Sequence, residues 1–347
     1  MSLLAFFPLG LASFSQSSYD VGSTREPRAV FAAIAPYYDF MDANLKPWHL
    51  RVNYQLDDDQ GNPSGEGTFE YWWMSPKVYR SKWTRGSVVH SEWHTLDGKI
   101  FTQATGEPLS VYEYWLQSAL LSPIPAAADL DSTESILVDH SIASPNAHSR
   151  CVMVVPSEIK EHDARTLPFG TYPEYCVNKA KPILLGYYFF GSLLIKSVNV
   201  VEMQGKSMPR EIYIIAGSKE VLSAKIEPVQ MIDPTNPALT PPPDAVAVNP
   251  DKVQLSPEAG SALIVKKVAP TYTDVAKIAP DQTKVILRTT IGTDGGVRDV
   301  RLVSALALPL ALPAFQSVSQ WKFKPYRIDG EPVVAETTVE VDFSPKN

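Results

Sequence analysis

Two histidines and a glutamate lie close together at His90, Glu92 and His94, and residues of these types can bind zinc. The zinc motif of metalloproteases needs a glutamate directly after the first histidine, with both histidines on one turn of a helix. Here the glutamate comes one position later, and the surrounding residues alternate as in a strand, where residues four apart are roughly 13 Å apart. We therefore expect polar side chains on the face of a sheet here, and no metal site.

Short catalytic motifs are absent from the rest of the sequence. Ser192 and Ser218 follow glycines but lack the second glycine of the Gly-x-Ser-x-Gly nucleophile motif. The glycines between residues 61 and 67 precede a strand pattern, whereas a phosphate-binding loop precedes a helix. We predict that the protein is not an enzyme and needs no cofactor. An enzyme whose catalytic residues meet only in space is the alternative.

Cys151 and Cys176 are the only cysteines of the chain. In an exported protein a lone pair most simply forms one disulfide, which is our prediction. Two buried free thiols are the alternative. The Cys-x-x-Cys spacing of many zinc sites is absent, so we expect no metal at this pair.

The composition and the N-terminus restrict the partners and the compartment. The net charge of -7 argues against nucleic-acid binding, because phosphate contacts need a basic surface. Residues 1–15 contain an apolar run too short to span a bilayer as a helix, and Ser13 and Ser15 fit the end of a secretory signal. We predict a signal peptide in this segment, with a membrane anchor or a disordered apolar tail as alternatives.

Residues 26–232 are predicted to form one domain. Apolar residues recur at intervals of three and four from Glu26 to about Leu45, as in an amphipathic helix. From Trp48 to Leu56 the interval changes to two, and several similar runs follow, separated by glycines and prolines. The segment from Glu107 to Leu121 has the composition of a helix that covers a sheet. The chain is therefore predicted to be mainly β, with a large antiparallel, half-barrel-like N-terminal sheet under helical cover.

Aromatic clusters occur along this domain. Consecutive aromatic residues on a strand point to both faces, so some of them point away from a single core. Packing between strands and helices is one explanation, and an apolar cavity that holds a greasy ligand is the other. The residues expected to line such a cavity are Tyr71, Trp73, Tyr114 and Trp115.

Residues 233–252 are rich in proline and separate this domain from the remainder of the chain. Proline at this density favours the extended polyproline II conformation. We predict a semi-rigid linker that holds two domains apart.

Residues 253–347 are predicted to form a small domain with the order strand, strand, helix, strand. Alternation predicts strands at Val285–Ile291, Val297–Ser304 and Val334–Phe343, and apolar residues at helical spacing predict a helix between Leu308 and Gln320. The residues Thr293-Asp294-Gly295-Gly296 supply the hairpin turn. This is an α+β arrangement with one helix across an antiparallel sheet.

Five short motifs of this domain occur in order. They are Val285-x-Leu287-x-x-Thr290-Ile291, Asp294-Gly295-Gly296, Val297-x-x-Val300-x-Leu302-Val303-Ser304, Trp321-x-Phe323-x-Pro325 and Asp329-Gly330-Glu331-Pro332-Val333. Through these motifs, residues 265–343 resemble the C-terminal domain of the TonB family. The residues expected to define the core of the domain are Val285, Leu287, Ile291, Gly295, Trp321, Phe323, Pro325 and Gly330.

The resemblance implies a periplasmic or cell-envelope protein of a Gram-negative-type bacterium. Such a domain pairs its last strand with a peptide of an outer-membrane TonB-dependent transporter and transduces energy for transport. If the N-terminus is an anchor, inner-membrane motor proteins are further expected partners. The strand expected to bind the partner contains Val334, Glu336, Thr337, Thr338, Val339, Glu340, Val341 and Phe343.

The N-terminal domain is similar to the periplasmic lipoprotein-carrier fold of the LolA type. The similarity rests on the helix through Tyr37 and Tyr38, the strand from Trp48 to Leu56, and Met74-Ser75-Pro76-Lys77-Val78 leading to Asp97-Gly98. It implies an alternative function, in which the domain carries a lipid or lipoprotein and the C-terminal domain acts as a docking module.

Overall fold

The computed structural model describes residues 19, 21–22, 26–58, 61–125, 130, 135–141, 148–189, 193–272, 282–305 and 307–344. Residues 1–15, where we predict a signal peptide or anchor, lie outside this part. Among the described residues no helix combines the length and the apolar character that a membrane span requires.

The N-terminal part of the chain is built mainly from strands. They are β1 (Trp48–Asp57), β2 (Pro63–Ser75), β3 (Val78–Arg85), β4 (Val88–His94), β5 (Ile100–Thr105), β6 (Ser135–Asp139), β7 (Ser149–Pro156), β8 (Glu174–Asn178), β9 (Leu184–Tyr188), β10 (Leu193–Val198), β11 (Val201–Met203), β12 (Lys206–Met208), β13 (Glu211–Ala216), β14 (Lys219–Ile226) and β15 (Gln230–Met231).

These strands pair antiparallel in the order β5-β4-β3-β2-β1-β14-β13-β10-β9-β8-β7-β6. Strand β15 extends the pairing of β1, and β11 and β12 form a separate hairpin. Alternation of burial along β1 shows why one face is internal: Leu50 and Val52 are buried, whereas Arg51 and Asn53 are exposed. The large, unclosed N-terminal sheet of the prediction is confirmed.

Helices that accompany these strands in the described residues include α1 (Pro27–Ile34), α2 (Val111–Leu121) and α3 (Glu161–Ala164). Helix α2 begins at a capping box, in which the Ser110 hydroxyl accepts from the backbone N–H of Glu113 and the Glu113 carboxylate accepts from that of Ser110. The Tyr54 hydroxyl also donates to the Glu113 carboxylate, so the start of α2 is bonded directly to β1.

The C-terminal part contains β16 (Val246–Gln254), α4 (Pro257–Ala262), β17 (Ile264–Lys266), β18 (Lys284–Ile291), β19 (Val297–Ala305), α5 (Ala311–Val318), β20 (Lys322–Phe323), β21 (Arg327–Ile328) and β22 (Glu331–Asp342). Strands β22, β18 and β19 are neighbours in an antiparallel sheet, and α5 lies across it. The predicted order of strand, strand, helix, strand is confirmed.

The proline-rich segment behaves differently from the predicted linker. It crosses the outer surface of the N-terminal sheet, where the carbonyl of Ala238 accepts hydrogen bonds from Arg80 and from the Trp93 indole. It then forms β16, which pairs with β5 on one side and with β22 on the other. The expectation that this segment holds two domains apart is wrong, because its last residues join the two sheets.

Other differences from the sequence-based prediction have local causes. The first helix ends at Ile34 and continues as a 3₁₀ turn, Ala35–Tyr37, because Pro36 has no N–H to continue the hydrogen bonds of the helix. The strand predicted from Leu193 to Met203 is divided at Asn199, which has a φ of 54°. Strand β5 was not predicted.

One hydrophobic core runs through both parts of the chain. Ring contacts link them directly, since Trp115 of α2 stacks on Phe315 of α5 with ring centroids 4.9 Å apart. Cys151 and Cys176 lie opposite each other on β7 and β8 and form a disulfide bond.

Candidate functional site

Strand β22 contains the residues predicted to bind a partner. It pairs antiparallel with β18 from Ala335, opposite Ile291, to Asp342, opposite Lys284. Alternate side chains point into the core, where Thr337, Val339 and Val341 are buried. The intervening side chains lie on the other face of the sheet, so they are the ones that can meet an external partner. They are Val334, Glu336, Thr338 and Glu340, and all are partly or fully exposed.

Charged pairs occupy this outer face. Glu340 lies 2.9 Å from the ammonium of Lys284, and Glu336 lies 3.8 Å from the guanidinium of Arg288. Each pair joins neighbouring strands, and such exposed pairs contribute little to stability because water and salt screen them. Their main consequence is a surface of alternating charge next to the edge of β22.

The second edge of β22 is divided into two regions. Strand β16 pairs with it in parallel, from Asn249 opposite Val333 to Gln254 opposite Glu336. From Thr338 to Asp342, the strand has a strand neighbour on one side only within the described residues, namely β18. Among the described residues, no strand pairs with the backbone groups on the other side of this stretch, and such an edge can accept a further strand.

Helix α4 closes the boundary between the two regions. Leu255, just after β16, donates its N–H to the Glu336 carbonyl at 2.8 Å, and the Thr337 hydroxyl donates to the carbonyl of Ser256 at 3.2 Å. Gly260 of α4 packs directly on Thr337, and a Cβ at this position would collide with that side chain. The glycine allows α4 to lie close to the strand.

Motifs that are distant in the sequence meet behind this sheet. The Gly295 carbonyl accepts the N–H of Phe323 at 2.9 Å, and Pro325 lies beside the same glycine. The Trp321 indole donates to the Val268 carbonyl at 3.0 Å. The side chains of Trp321 and Phe323 are buried, as are Val285, Leu287 and Ile291, whereas Gly330 is exposed in the turn before β22 with a φ of 86°.

The opposite edge of the small sheet, β19, lies against α2. The indole of Trp115 donates to the Asp299 carboxylate at 2.8 Å, and the guanidinium of Arg301 lies over the Phe189 ring at 4.6 Å. Burial alone would lower the pKa of Arg301, but the Asp299 carboxylate 2.7 Å from its Nε outweighs this effect and raises it. At Asp299 and Arg301, this edge is therefore in contact with the N-terminal part of the chain.

A polar cleft of about 480 Å³ lies where the two parts meet. His90 Nδ1 is 3.6 Å from the Asp294 carboxylate, and Glu92 is 3.6 Å from the Arg298 guanidinium. Burial would raise the pKa of Glu92, but the hydrogen bond from His94 and the charge of Arg298 lower it below its usual value. Both histidines thus lie on strand β4, as expected, and His90 contributes to the contact between the two parts.

The four residues predicted to line an apolar cavity lie in two separate places. Trp73 is fully buried and stacks on Trp48, and Tyr71 contacts the same ring at 5.4 Å between centroids. Trp115 stacks between Phe189 and Phe315, with Tyr114 beside the polar cleft. Three of the four rings are packed against other rings, and ligand binding by this set stays a prediction.

The disulfide has an acidic neighbour. The Glu174 carboxylate and both sulfurs of Cys151 and Cys176 lie within 4.8 Å of one another. Burial raises the pKa of Glu174, although hydrogen bonds from Gly170 and His140 oppose the effect. Metal ligation by cysteine requires thiolates, and the two sulfurs are bonded to each other here.

Sequence reasoning missed the residues that join the two parts. Asp294, Arg298 and Asp299 lie on the β18–β19 hairpin and bond to residues of the N-terminal part. Lys252 lies 2.6 Å from Glu336, which joins β16 to β22. A signal for β16 was present in the apolar residues Val246-Ala247-Val248, but the surrounding prolines concealed it.

The comparisons with known proteins match the two parts separately. Residues 268–345 match the family model described as the Gram-negative bacterial TonB protein C-terminal. No curated protein sequence matches the chain. Among solved structures, a DUF1329 family protein from Desulfovibrio piger is 11% identical with a TM-score of 0.36, over 59% of this chain and 93% of that chain.

Two further solved structures are similar over a comparable share of the chain. A LolA superfamily protein from Nitrosomonas europaea is 8% identical with a TM-score of 0.34, over 63% of this chain and 99% of that chain. A putative outer membrane lipoprotein-sorting protein domain from Vibrio parahaemolyticus is 9% identical with a TM-score of 0.33, over 58% of this chain and 90% of that chain. Within this chain, it is the small C-terminal domain that matches a named family, the C-terminal domain of Gram-negative bacterial TonB proteins.

Proposed function

We propose that this chain is a cell-envelope protein that acts by protein–protein contact, with an extended peptide of the partner added to the edge of β22. The observation that carries the proposal is the match of residues 268–345 to the TonB C-terminal family. The stretch from Thr338 to Asp342, which has a strand neighbour on one side only among the described residues, provides the place.

The physical basis is strand addition. An edge strand presents N–H and C=O groups without protein partners, and an incoming peptide pairs with them while its side chains alternate between the two faces. Specificity then depends on the side chains that flank the edge. On the exposed face these include Glu340 with its partner Lys284.

The short open stretch alone supports weak binding. Two or three backbone hydrogen bonds at about 0.5–1.5 kcal/mol each give roughly 1–5 kcal/mol in total. Free energies in this range correspond to dissociation constants of about 0.2 mM or weaker. Tighter binding requires side-chain contacts or a longer paired edge.

The finer proposal follows from the family. We propose that the peptide belongs to an outer-membrane TonB-dependent transporter, that the contact takes place in the periplasm, and that it serves transport rather than catalysis. If the N-terminal segment is an anchor, inner-membrane motor proteins are the second partner.

The experiment uses the whole chain, because its two parts share one core. Peptides copied from the periplasmic segment of an outer-membrane transporter of the same cell, each with a nitroxide label, are titrated into the isotopically labelled protein. We expect paramagnetic broadening of backbone resonances from Thr338 to Asp342. A scrambled peptide of the same composition should give none.

The other edge of the small sheet serves as an internal control. Broadening centred on Val303 of β19, or none with any transporter peptide, would contradict binding at β22. Val303 is a suitable reporter because it is 45% exposed.

A further inference from the structure

Strand β16 occupies the edge at which a partner peptide must pair. A strand has two edges, and β18 takes one of them along β22 from Ala335 to Asp342. A peptide that pairs with the whole of β22 must therefore use the other edge, where β16 already pairs from Val333 to Glu336. Strand β16 and such a peptide would therefore compete for the same backbone groups of β22.

We propose that β16 is an internal strand that limits access to β22, and that a partner peptide binds by displacing Lys252, Val253 and Gln254. This rests on the proposed function, since it concerns the same edge. The partner is an extended peptide that runs parallel to β22, as β16 does, and carries a basic residue where Lys252 now meets Glu336.

The pairing of β16 with β22 is weak compared with that of β18. It consists of four residue pairs interrupted by a shift between Asn249 and Lys252, whereas β18 contributes eight uninterrupted pairs. The interruption contains Pro250, which has no N–H to donate. Lys252 and Gln254 are exposed, so little apolar surface is lost if they leave the edge.

Most of the side-chain attraction comes from one ion pair. The Lys252 ammonium is 2.6 Å from the Glu336 carboxylate, with side chains that are 56% and 15% exposed. An ion pair with such an exposed partner contributes little, because water and salt screen it. A peptide with a cation in the same register would replace this pair, and the contact of Glu336 with Arg288 is unaffected.

The segment that would be displaced is followed and preceded by residues with contacts of their own. On the N-terminal side of the interruption, Val246 to Val248 pair with Ile100 to Thr102 of β5, and Val248 is buried. On the C-terminal side, α4 packs on Thr337 through Gly260. Residues 249–255 can therefore leave the edge, with loss of the hydrogen bond from Leu255 to the Glu336 carbonyl, while the pairing with β5 and the contact of Gly260 with Thr337 remain.

The open stretch from Thr338 to Asp342 provides the starting point. A peptide that first pairs there is next to the end of β16 and can extend along β22 as β16 leaves. Extension would roughly double the number of paired residues. The peptide would then bind more tightly than it can to the open stretch alone.

The test uses the chain's own sequence as the probe. A fluorescein-labelled synthetic peptide of residues 246–255 is titrated into the whole chain, into Val253→Pro and into Lys252→Glu, and binding is measured by anisotropy. Proline at position 253 removes an N–H from the paired stretch, and the charge change reverses the ion pair. Lys77→Glu changes an exposed lysine in the β2–β3 turn and is the matched control.

We expect Val253→Pro to bind the probe about tenfold more tightly than the wild type, which corresponds to ~1.4 kcal/mol. Lys252→Glu should show a smaller gain, and Lys77→Glu none. Without peptide, hydrogen exchange at residues 333–336 should be faster in both β16 variants than in the wild type. Lys252→Glu leaves every backbone N–H in place. It therefore still tests the proposal if Val253→Pro does not fold.

The outcomes separate the two proposals. Equal binding of the transporter peptides to wild type and β16 variants would overturn the internal-strand inference and leave partner binding at β22 intact. Unchanged exchange at residues 333–336 in Lys252→Glu and Val253→Pro would overturn it as well. If no peptide binds the wild type or any variant, both proposals are wrong.

Discussion

Trp115 of helix α2 stacks on Phe315 of helix α5, with ring centroids 4.9 Å apart and planes inclined by 20°. These residues belong to different parts of the chain, 26 to 232 and 253 to 347 in the sequence-based division. Their contact places both parts in one hydrophobic core. The small domain is thus held against the N-terminal sheet by apolar packing as well as by the chain connection.

We predict that Trp115→Ala lowers the free energy of unfolding by about 3–5 kcal/mol, the usual cost of removing a buried large aromatic side chain. A double-mutant cycle with Phe315→Ala should give a coupling of about 0.5–1.5 kcal/mol, the value typical of aromatic pairs. Denaturant unfolding measures both. A cycle between Trp72, on the outer face of the sheet, and Phe315 is the control and should be additive.

The Glu92–Arg298 pair predicts a pH dependence of stability. Burial, the largest influence on Glu92, favours the neutral carboxyl, but the His94 hydrogen bond and the Arg298 charge outweigh it and leave its pKa lowered in the folded protein. A lowered pKa contributes stability above the unfolded-state value of about 4.3, and this contribution is lost as the pH falls through the folded-state value.

Glu92→Gln should therefore be less stable than the wild type at neutral pH, and the difference should shrink as the pH falls below about 4. Thermal unfolding between pH 3 and pH 8 measures it. Glu220→Gln, at an exposed acid on β14, should follow the wild type throughout. If the stability difference between Glu92→Gln and the wild type grows as the pH falls, the pKa of Glu92 is not lowered in the folded protein.

Two glycines with similar φ angles offer a matched pair. Gly295 has a φ of 80° and Gly330 a φ of 86°, but a Cβ at Gly295 would collide with the Phe323 carbonyl, whereas one at Gly330 has nothing within 4 Å. Gly330→Ala should cost only the roughly 1–2 kcal/mol of left-handed backbone conformation. Gly295→Ala should lower the free energy of unfolding by clearly more, because the turn between β18 and β19 must also move away from Phe323 of β20. Equal losses in denaturant unfolding would contradict this contact.

The disulfide between Cys151 and Cys176 closes a loop with a sequence separation of 25. On the chain-entropy model, Cys151→Ala with Cys176→Ala should lower the free energy of unfolding by about 3.5 kcal/mol. Either single substitution should have nearly the same effect, since one cysteine cannot form the bond. A loss below about 1 kcal/mol in the double variant would contradict a stabilising role.

Much of the fold could be predicted from local patterns. The alternation from Trp48 to Leu56 identified β1 within a residue, because a strand with one buried face must alternate. The order of motifs from Val285 to Val333 identified the small domain, because each of them meets a local requirement of a turn or a core position. The capping residues Ser110 and Glu113 fix the start of α2, although the sequence pattern placed that start four residues earlier.

The relation between the two parts was decided only by the tertiary structure. Proline spacing in residues 233–252 describes how stiff the segment is, but it contains no information on which backbone groups the segment meets. The pairing of β16 depends on two unsatisfied edges, β5 and β22, that are about 150 and 80 residues away in the chain and come together only on folding. For this reason the sequence predicts partner binding by β22, while only the structure showed that residues 252–254 already occupy part of its edge.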